Sequence, residues 1–176
     1  MVLLLSVKYK NGDDVSDSIG LLISILVRYP EVGSINFDPQ AHELRLTFIL
    51  AGDAENTKIT GIKQLIVDSV HIYHQLEKIR PYVFAVECNN NDNYTIIDIK
   101  RDIDTLSRNE ISFLMELFHV HFPHALVTDH NEEMWEEDLQ IQDEMIGHLL
   151  EGIKNAKTDK KLIAYRDEGK VLVFNK

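Results

Sequence analysis

The sequence predicts the α/β fold class, in its α+β form, from its pattern of apolar residues. Of the 176 residues, 44% are hydrophobic, which is enough for a chain of this length to bury a core without disulfides or metals. Short runs of strand length are either continuously apolar or alternate between apolar and polar residues. They lie between longer stretches in which apolar residues recur at helical spacing. The first six of these segments have the order βαββαβ.

The elements of the N-terminal half follow from local signals. Asp13 and Asp14 supply an N-cap for the first helix, Pro30 and Gly33 end it, and Pro81 ends the second helix. The predicted elements are a strand at 2–9, a helix at about 15–29, strands at 34–38 and 43–50, a helix at about 58–80 and a strand at 82–86. This order is that of the ferredoxin-like, or split-βαβ, arrangement, in which two helices cover one face of a four-stranded antiparallel sheet.

The C-terminal half extends this arrangement. The Asn-rich segment 88–93 is predicted as a turn that folds an antiparallel strand at 94–100 back on the preceding one. Ser107 and Glu110 have the spacing of a capping box and start a helix that is apolar nearly all round. A short strand at 125–128, a second further helix at about 131–157 and a hairpin of strands 162–166 and 170–174 complete the chain. We expect one domain over 1–176, or else a ferredoxin-like half at 1–90 and a helical extension with a C-terminal hairpin at 91–176.

Charge and cysteine content argue against several functions. The formal net charge of −11 disfavours binding to nucleic acids and to anionic membranes, because both attract clustered Lys and Arg. Cys88 is the only cysteine, so the chain forms neither an internal disulfide nor a cysteine-based zinc site, which is typical of a cytoplasmic protein. The sequence has no Gly-rich phosphate loop and no G-x-S-x-G elbow. No cofactor is therefore expected for the leading interpretation given below.

The helix predicted at 131–157 carries the most distinctive pattern. Between Asp129 and Glu151 the chain has many acids but no Lys or Arg, and helical periodicity gathers most of these acids opposite an apolar stripe. Such a face is either solvated or a docking surface for a basic partner. Asp138 and Gln142 fall inside the apolar stripe, so they overhang the core into water, line a polar pocket or lie in an oligomer contact. The predicted interaction surface consists of Glu133, Trp135, Glu137, Asp138, Gln142 and Glu144.

A histidine-rich segment precedes that helix. His is the commonest neutral metal ligand, and the candidate ligands here are His121, His124, Asp129 and His130. The part from His124 to His130 resembles the end of the H-x3-H-x5-H motif of the YbeY-type metal-dependent endoribonucleases, but Val120 stands where that motif has its first His. The chain is not identified as a member of that family. The alternative to a zinc site is a set of ordinary core or helix-end histidines.

Other charged residues are predicted to lie on the surface. Asp98, Asp102, Asp104 and Glu110 alternate with Lys100, Arg101 and Arg108, as in a surface charge lattice. His71 and His74 are predicted as surface histidines of the second helix. The C-terminal section is locally basic, with Lys154, Lys157, Lys160, Lys161, Arg166, Lys170 and Lys176. Beside the acidic helix it makes the molecule dipolar, which favours self-association.

Two functions of different classes are consistent with these patterns. The leading interpretation is a non-enzymatic binding or regulatory module that contacts a protein partner or a second copy of itself. In element order its N-terminal half is broadly similar to small-molecule-sensing ACT-type domains, a similarity of fold alone. The alternative is a metal-dependent hydrolase or nuclease that uses zinc in the segment from His121 to His130, with Asp129 or Glu132 as general base.

Overall fold

The computed structural model describes residues 13–52, 56–129, 135–155 and 160–175. Within these ranges the chain forms four α-helices and one six-stranded antiparallel sheet, a mixed α/β fold. The elements are α1 (Asp13–Arg28), β1 (Ser34–Asp38), β2 (Glu43–Ala51), α2 (Asn56–Leu76), β3 (Phe84–Asn91), β4 (Tyr94–Asp102), α3 (Arg108–His121), α4 (Glu136–Ile153), β5 (Leu162–Asp167) and β6 (Lys170–Asn175). The strand predicted at 2–9 lies outside the described residues.

The order of strands across the sheet is β3-β4-β2-β1-β5-β6. Both edges of β2 are paired, since Leu46 lies opposite Ile35 of β1 on one side and opposite Ile99 of β4 on the other. In the ferredoxin-like arrangement, the strand predicted at 2–9 would lie between β2 and β3. In this sheet β4 lies there, because the β3–β4 hairpin folds directly onto β2. The described strands therefore do not have the ferredoxin-like order.

One face of the sheet is covered by helices and forms the core. The alternate residues Leu44, Leu46, Phe48 and Leu50 of β2 are buried, as the period of a strand with one covered face requires. The ring of Phe48 stacks on Phe118 of α3 with centroids 4.2 Å apart. The opposite face carries polar residues of β2 and β4 that are only half-buried. No helix in the described part of the chain is long and apolar enough to cross a membrane.

Most of the predicted elements that fall on described residues are confirmed, and the differences concern one turn and one short strand. Strand β3 continues through Asn91, so the turn is shorter than the predicted segment 88–93. Within this turn, Asp92 adopts a left-handed backbone conformation with φ 53°. The predicted strand at 125–128 is reduced to an isolated bridge between Leu50 and Leu126. In the C-terminal hairpin, Glu168 (φ 49°) and Gly169 (φ 76°) form the two-residue turn.

A charged cluster is buried where α2, β4 and α3 meet, and the prediction that these residues lie on the surface is wrong. Arg101 donates to Glu110 from Nε at 2.6 Å and from Nη2 at 3.0 Å, and its Nη1 donates to Asp102. His74 Nε2 lies 2.8 Å from Glu110 Oε1. All four side chains are almost completely buried. They lie inside because each charge has a hydrogen-bonding partner, which burial of a charge requires.

The predicted capping box at the start of α3 is half formed. The Ser107 hydroxyl accepts a hydrogen bond from the Glu110 backbone N–H at 3.2 Å, as expected of an N-cap. The Glu110 carboxylate, however, accepts hydrogen bonds from Arg101 rather than returning to the cap. The same residue thus belongs to the helix start and to the buried cluster.

Candidate interaction surface

Helix α4 is held to the rest of the protein by its C-terminal half. Ile146, Leu150 and Ile153 are buried in the core, and they recur at the spacing of one helical face. Leu149 packs over Gly20 of α1, where a Cβ atom would lie 3.7 Å from its Cδ1. Small residues allow such close approach of two helices, and α1 is accordingly the main neighbour of α4.

A polar cluster fixes the middle of α4 against α1 and α3. Arg28 Nε donates to Asp143 Oδ1 at 2.9 Å, and the Tyr29 hydroxyl lies 2.9 Å from Ser112 Oγ and 3.4 Å from the same Asp143 oxygen. Burial raises the pKa of Tyr29; its hydrogen bond with Ser112 opposes this, and the charge of Asp143 adds to it. The hydroxyl therefore stays protonated, which suits a donor to Asp143.

The N-terminal half of α4 extends beyond the core into solvent. Trp135 is 81% exposed, Ile141 55% and Met145 46%. Ile141 and Met145 lie three and seven residues after Asp138, so the three residues share one side of the helix. The Met145 sulfur also accepts from Ser24 Oγ of α1 at 3.6 Å. We call Trp135, Glu137, Asp138, Ile141, Gln142, Glu144 and Met145 the α4 surface.

The exposed carboxylates of this surface form no ion pair with the cations that the structure describes. None of the ion pairs within the described residues involves Glu137, Asp138 or Glu144, and Glu144 accepts only a 3.4 Å hydrogen bond from Gln140. The acids Asp143 and Glu151, predicted to share the anionic face, are paired instead with Arg28 and Lys154. The unpaired negative charge is thus concentrated on the half of α4 that extends from the core.

Trp135 occupies the N-cap position of α4. Its backbone is extended (φ −64°, ψ 145°), and its side chain makes no capping hydrogen bond. Ser, Thr, Asp or Asn at an N-cap stabilises a helix by roughly 1 kcal/mol because the side chain accepts from a free backbone N–H, whereas Trp has no acceptor. A large apolar residue at this position therefore does not stabilise the helix. Departures of this kind are expected at functional sites.

The predicted surface residues have different environments. Asp138 is exposed and Gln142 is half-buried, so the Asp138 carboxylate is solvated where the first turns of α4 overhang the core. Glu137 and Glu144 are exposed as predicted, and Glu133 lies outside the described residues. Ile141 is absent from the predicted surface, although an isolated apolar residue on a polar helix face is a usable signal. The helical spacing of Met145 places it in the apolar stripe, whereas almost half of its side chain is exposed.

The candidate metal ligands are described in part. His121 and His124 are exposed, and Asp129 Oδ2 lies 3.2 Å from Arg166 Nε. His130 lies outside the described residues, among which no group of three or more His, Cys, Asp or Glu side chains is arranged to hold a metal ion. Metal binding in this segment stays a prediction. Burial raises the pKa of the Cys88 thiol to about 11, so little of it is present as the nucleophilic thiolate at neutral pH.

No family model matches the chain, and no curated protein and no solved structure is significantly similar to it.

Proposed function

We propose that the chain is a non-enzymatic interaction module whose α4 surface binds a basic segment of a partner protein. The observation that carries the proposal is the joint exposure of Trp135, Ile141 and Met145 on a half-helix that extends beyond the core. Several large apolar side chains exposed on one short stretch of helix are more typical of a binding surface than of a solvated one. The proposal requires no cofactor.

The side chains of the surface fit a hot spot for protein binding. Trp is among the residues most enriched in binding hot spots, since it contributes a large area with little loss of side-chain entropy. Met145 adapts its shape to a partner because its side chain is unbranched and flexible. The three exposed apolar side chains and the nearby carboxylates would thus contact an apolar residue and a neighbouring cation together.

The charge of the surface defines the partner's chemistry. Glu137, Asp138 and Glu144 carry negative charge that no described cation balances, so a segment with Lys or Arg next to apolar residues is complementary to it. Exposed charges of this kind raise the rate of association more than they raise the affinity, and salt weakens both effects. We therefore expect binding that is fastest at low ionic strength.

A different protein is a better candidate partner than a second copy of the chain. Self-association would use the basic C-terminal section, but several of its cations are engaged. Arg166 donates to backbone carbonyls at the C-terminal end of α1, Lys161 Nζ lies 3.5 Å from Asp38, and Lys154 Nζ lies 2.5 Å from Glu151. A homodimer is thus the less favoured form of the proposal. The single cysteine supports a cytoplasmic location, which we also propose.

The fluorescence of Trp135 tests the proposal, because it is the only tryptophan. We expect the emission of the exposed indole to shift to the blue when the protein is titrated, at low salt, with an amphipathic lysine–leucine peptide. A glutamate–leucine peptide of the same length should leave the emission unchanged. Sedimentation of the protein alone over a concentration series measures self-association separately.

Two charge reversals locate the binding site. Asp138→Lys should weaken the peptide roughly tenfold, because it places like charges in contact. Glu77→Lys changes an exposed acid just after α2 by the same charge and should leave the affinity within about twofold. No emission shift with the basic peptide, or equal losses in the two variants, would contradict the proposal.

A further inference from the structure

The C-terminal hairpin leaves an apolar strand at one edge of the sheet. Within the described ranges β6 pairs with β5 alone, so its other side has no neighbouring strand there. The interior of β6, residues 171–174, reads Val-Leu-Val-Phe and contains neither a charge nor a proline. Edge strands commonly carry charges or prolines, because free main-chain groups on an apolar edge pair readily with another strand. Strand β6 lacks these protections.

The opposite edge of the same sheet provides a comparison. Strand β3 carries the exposed Glu87 and ends in three exposed Asn residues, which are poor strand formers. Helix α2 also lies against it, with the ring of His71 5.5 Å from that of Phe84. One edge of the sheet is therefore protected against pairing, whereas the other is suited to it.

Both faces of β6 are apolar. Val171 is 1% exposed and faces the helices, as does Val173, which is opposite the buried Ala164 of β5. On the other face, Phe174 stacks on Tyr165 of β5 with ring centroids 5.8 Å apart, yet Phe174 is 48% exposed. A continuous apolar run is typical of a strand inside a sheet rather than of one at its edge.

The turn of the hairpin determines which main-chain groups of β6 are free. Because Glu168 and Gly169 form a two-residue turn, the residue pair that flanks them is hydrogen-bonded, and such pairs alternate along antiparallel strands. The N–H and C=O groups of Val171 and Val173 therefore point away from β5. Since both side chains face the helices, a second copy that pairs through the same residues has its helices on the same face.

We propose that β6 pairs in antiparallel orientation with β6 of a second copy of the chain, about a two-fold axis, so that the two sheets become one continuous sheet. The contact is isologous, since each copy contributes the same strand. Main-chain hydrogen bonds form at Val171 and Val173, and Leu172 and Phe174 of the two copies meet on the face opposite the helices. A single strand pair is a small interface, so we expect a dissociation constant in the micromolar range.

The charges of the hairpin favour a second copy in this orientation. The turn end carries the exposed Asp167 and Glu168, and Lys170 balances only one of these charges. The open end carries Lys160 and Lys161. Antiparallel pairing brings the negative turn of each copy next to the positive end of the other, whereas parallel pairing brings like ends together. The interface uses no residue of the α4 surface and does not depend on its function.

Sedimentation equilibrium and amide hydrogen exchange test the proposal on the native protein. At high salt, which screens any charge-driven contact of the α4 surface, the mass should rise with concentration from 20.3 kDa towards twice that value. Over the same series, exchange of the Val171 and Val173 N–H groups should slow, because pairing protects them. The N–H of Val86, on the edge strand β3, should exchange at a constant rate. A monomer at all concentrations, or a dimer without added protection of Val171 and Val173, would overturn the proposal.

Variants of β6 test the same contact. Val173→Pro removes an N–H that points away from β5, a position at which edge strands tolerate proline, and should weaken dimerisation at least about tenfold. Val173→Thr keeps the N–H and the side-chain shape and should dimerise within about twofold of the native protein. Leu172→Lys places two cations close together at the two-fold axis and should also weaken the dimer. Backbone spectra establish which variants are folded. Native dimerisation of a folded Val173→Pro or Leu172→Lys variant would overturn the proposal.

Discussion

Arg101 and Glu110 are joined by two hydrogen bonds, of 2.6 and 3.0 Å, while both side chains are almost completely removed from solvent. The pair connects β4 to the first turn of α3, and His74 extends it to α2. Buried charges of this kind are expensive to separate, because either partner left alone keeps its desolvation cost. The stability of the protein should therefore depend strongly on the pair being complete.

Arg101→Met should lower the free energy of unfolding by about 3–5 kcal/mol, because it leaves the Glu110 carboxylate buried and unpaired. Urea denaturation followed by circular dichroism measures the change. Lys100→Met, the neighbouring substitution on the opposite face of β4, should cost less than about 1 kcal/mol. Adding Glu110→Leu to Arg101→Met should recover part of the loss. A double variant that is less stable than Arg101→Met would contradict this account of the cluster.

Asp102 should make the protein sensitive to acid. Burial raises its pKa, but hydrogen bonds from the Val83 backbone and from Thr105, with the charge of Arg101, outweigh burial and lower it. A carboxyl with a lowered pKa in the folded state contributes stability above its unfolded pKa of about 3.9, and this contribution is lost as the pH falls towards the folded value. Asp102→Asn should be less stable at pH 7 and should lose less on acidification than the native protein. Asp104→Asn, an exposed neighbour, should keep the native pH profile of the urea midpoint.

Arg166 acts as a cap for the C-terminal end of α1. It donates from Nη1 to the Leu26 carbonyl at 2.6 Å and from Nη2 to the Pro30 carbonyl at 2.8 Å, and Asp129 lies beside Nε. Arg166→Lys should lower the free energy of unfolding by about 2 kcal/mol, because one ammonium group cannot reach these acceptors together. Arg80→Lys, which is exposed, is the matched control and should change stability by less than about 0.5 kcal/mol in the same denaturation experiment.

Trp135 should be dispensable for stability. Trp135→Ser replaces an N-cap residue that cannot accept a hydrogen bond by one that can, so the free energy of unfolding should rise by about 1 kcal/mol. The same variant should lose binding of a fluorescently labelled lysine–leucine peptide. Thermal unfolding and anisotropy measure the two effects. A destabilised Trp135→Ser variant would mean that the indole packs on the protein rather than serving a partner.

Local signals in the sequence predicted most elements but not their arrangement. The strand at 34–38 and the helix capped by Ser107 were predicted because periodicity and capping are properties of adjacent residues. The place of β4 beside β2 was not predicted, because Leu46 and Ile99 pair although they are far apart in the sequence. His74 was taken for a surface residue since its partner Glu110 is distant in sequence.

The interaction surface was predictable only in part, because the sequence gives the composition of a helix but not its packing against distant elements. The acidic composition of α4 can be read directly, and it identified Glu137, Asp138 and Glu144. How far the helix extends past the core depends on its packing against α1, so the exposure of Met145 was not foreseeable. The pairing of Asp143 with Arg28 likewise required the two helices to be placed.

The central claim, that the α4 surface selects a basic partner, is tested most directly by a charge swap at Asp138. The measurement is the Trp135 emission of Asp138→Lys and of the native protein at low salt, each titrated with the two peptides. Our account predicts that Asp138→Lys binds the lysine–leucine peptide roughly tenfold more weakly than the native protein does, and that only Asp138→Lys shows a blue shift with the glutamate–leucine peptide. Unchanged affinity of both peptides in Asp138→Lys would contradict it.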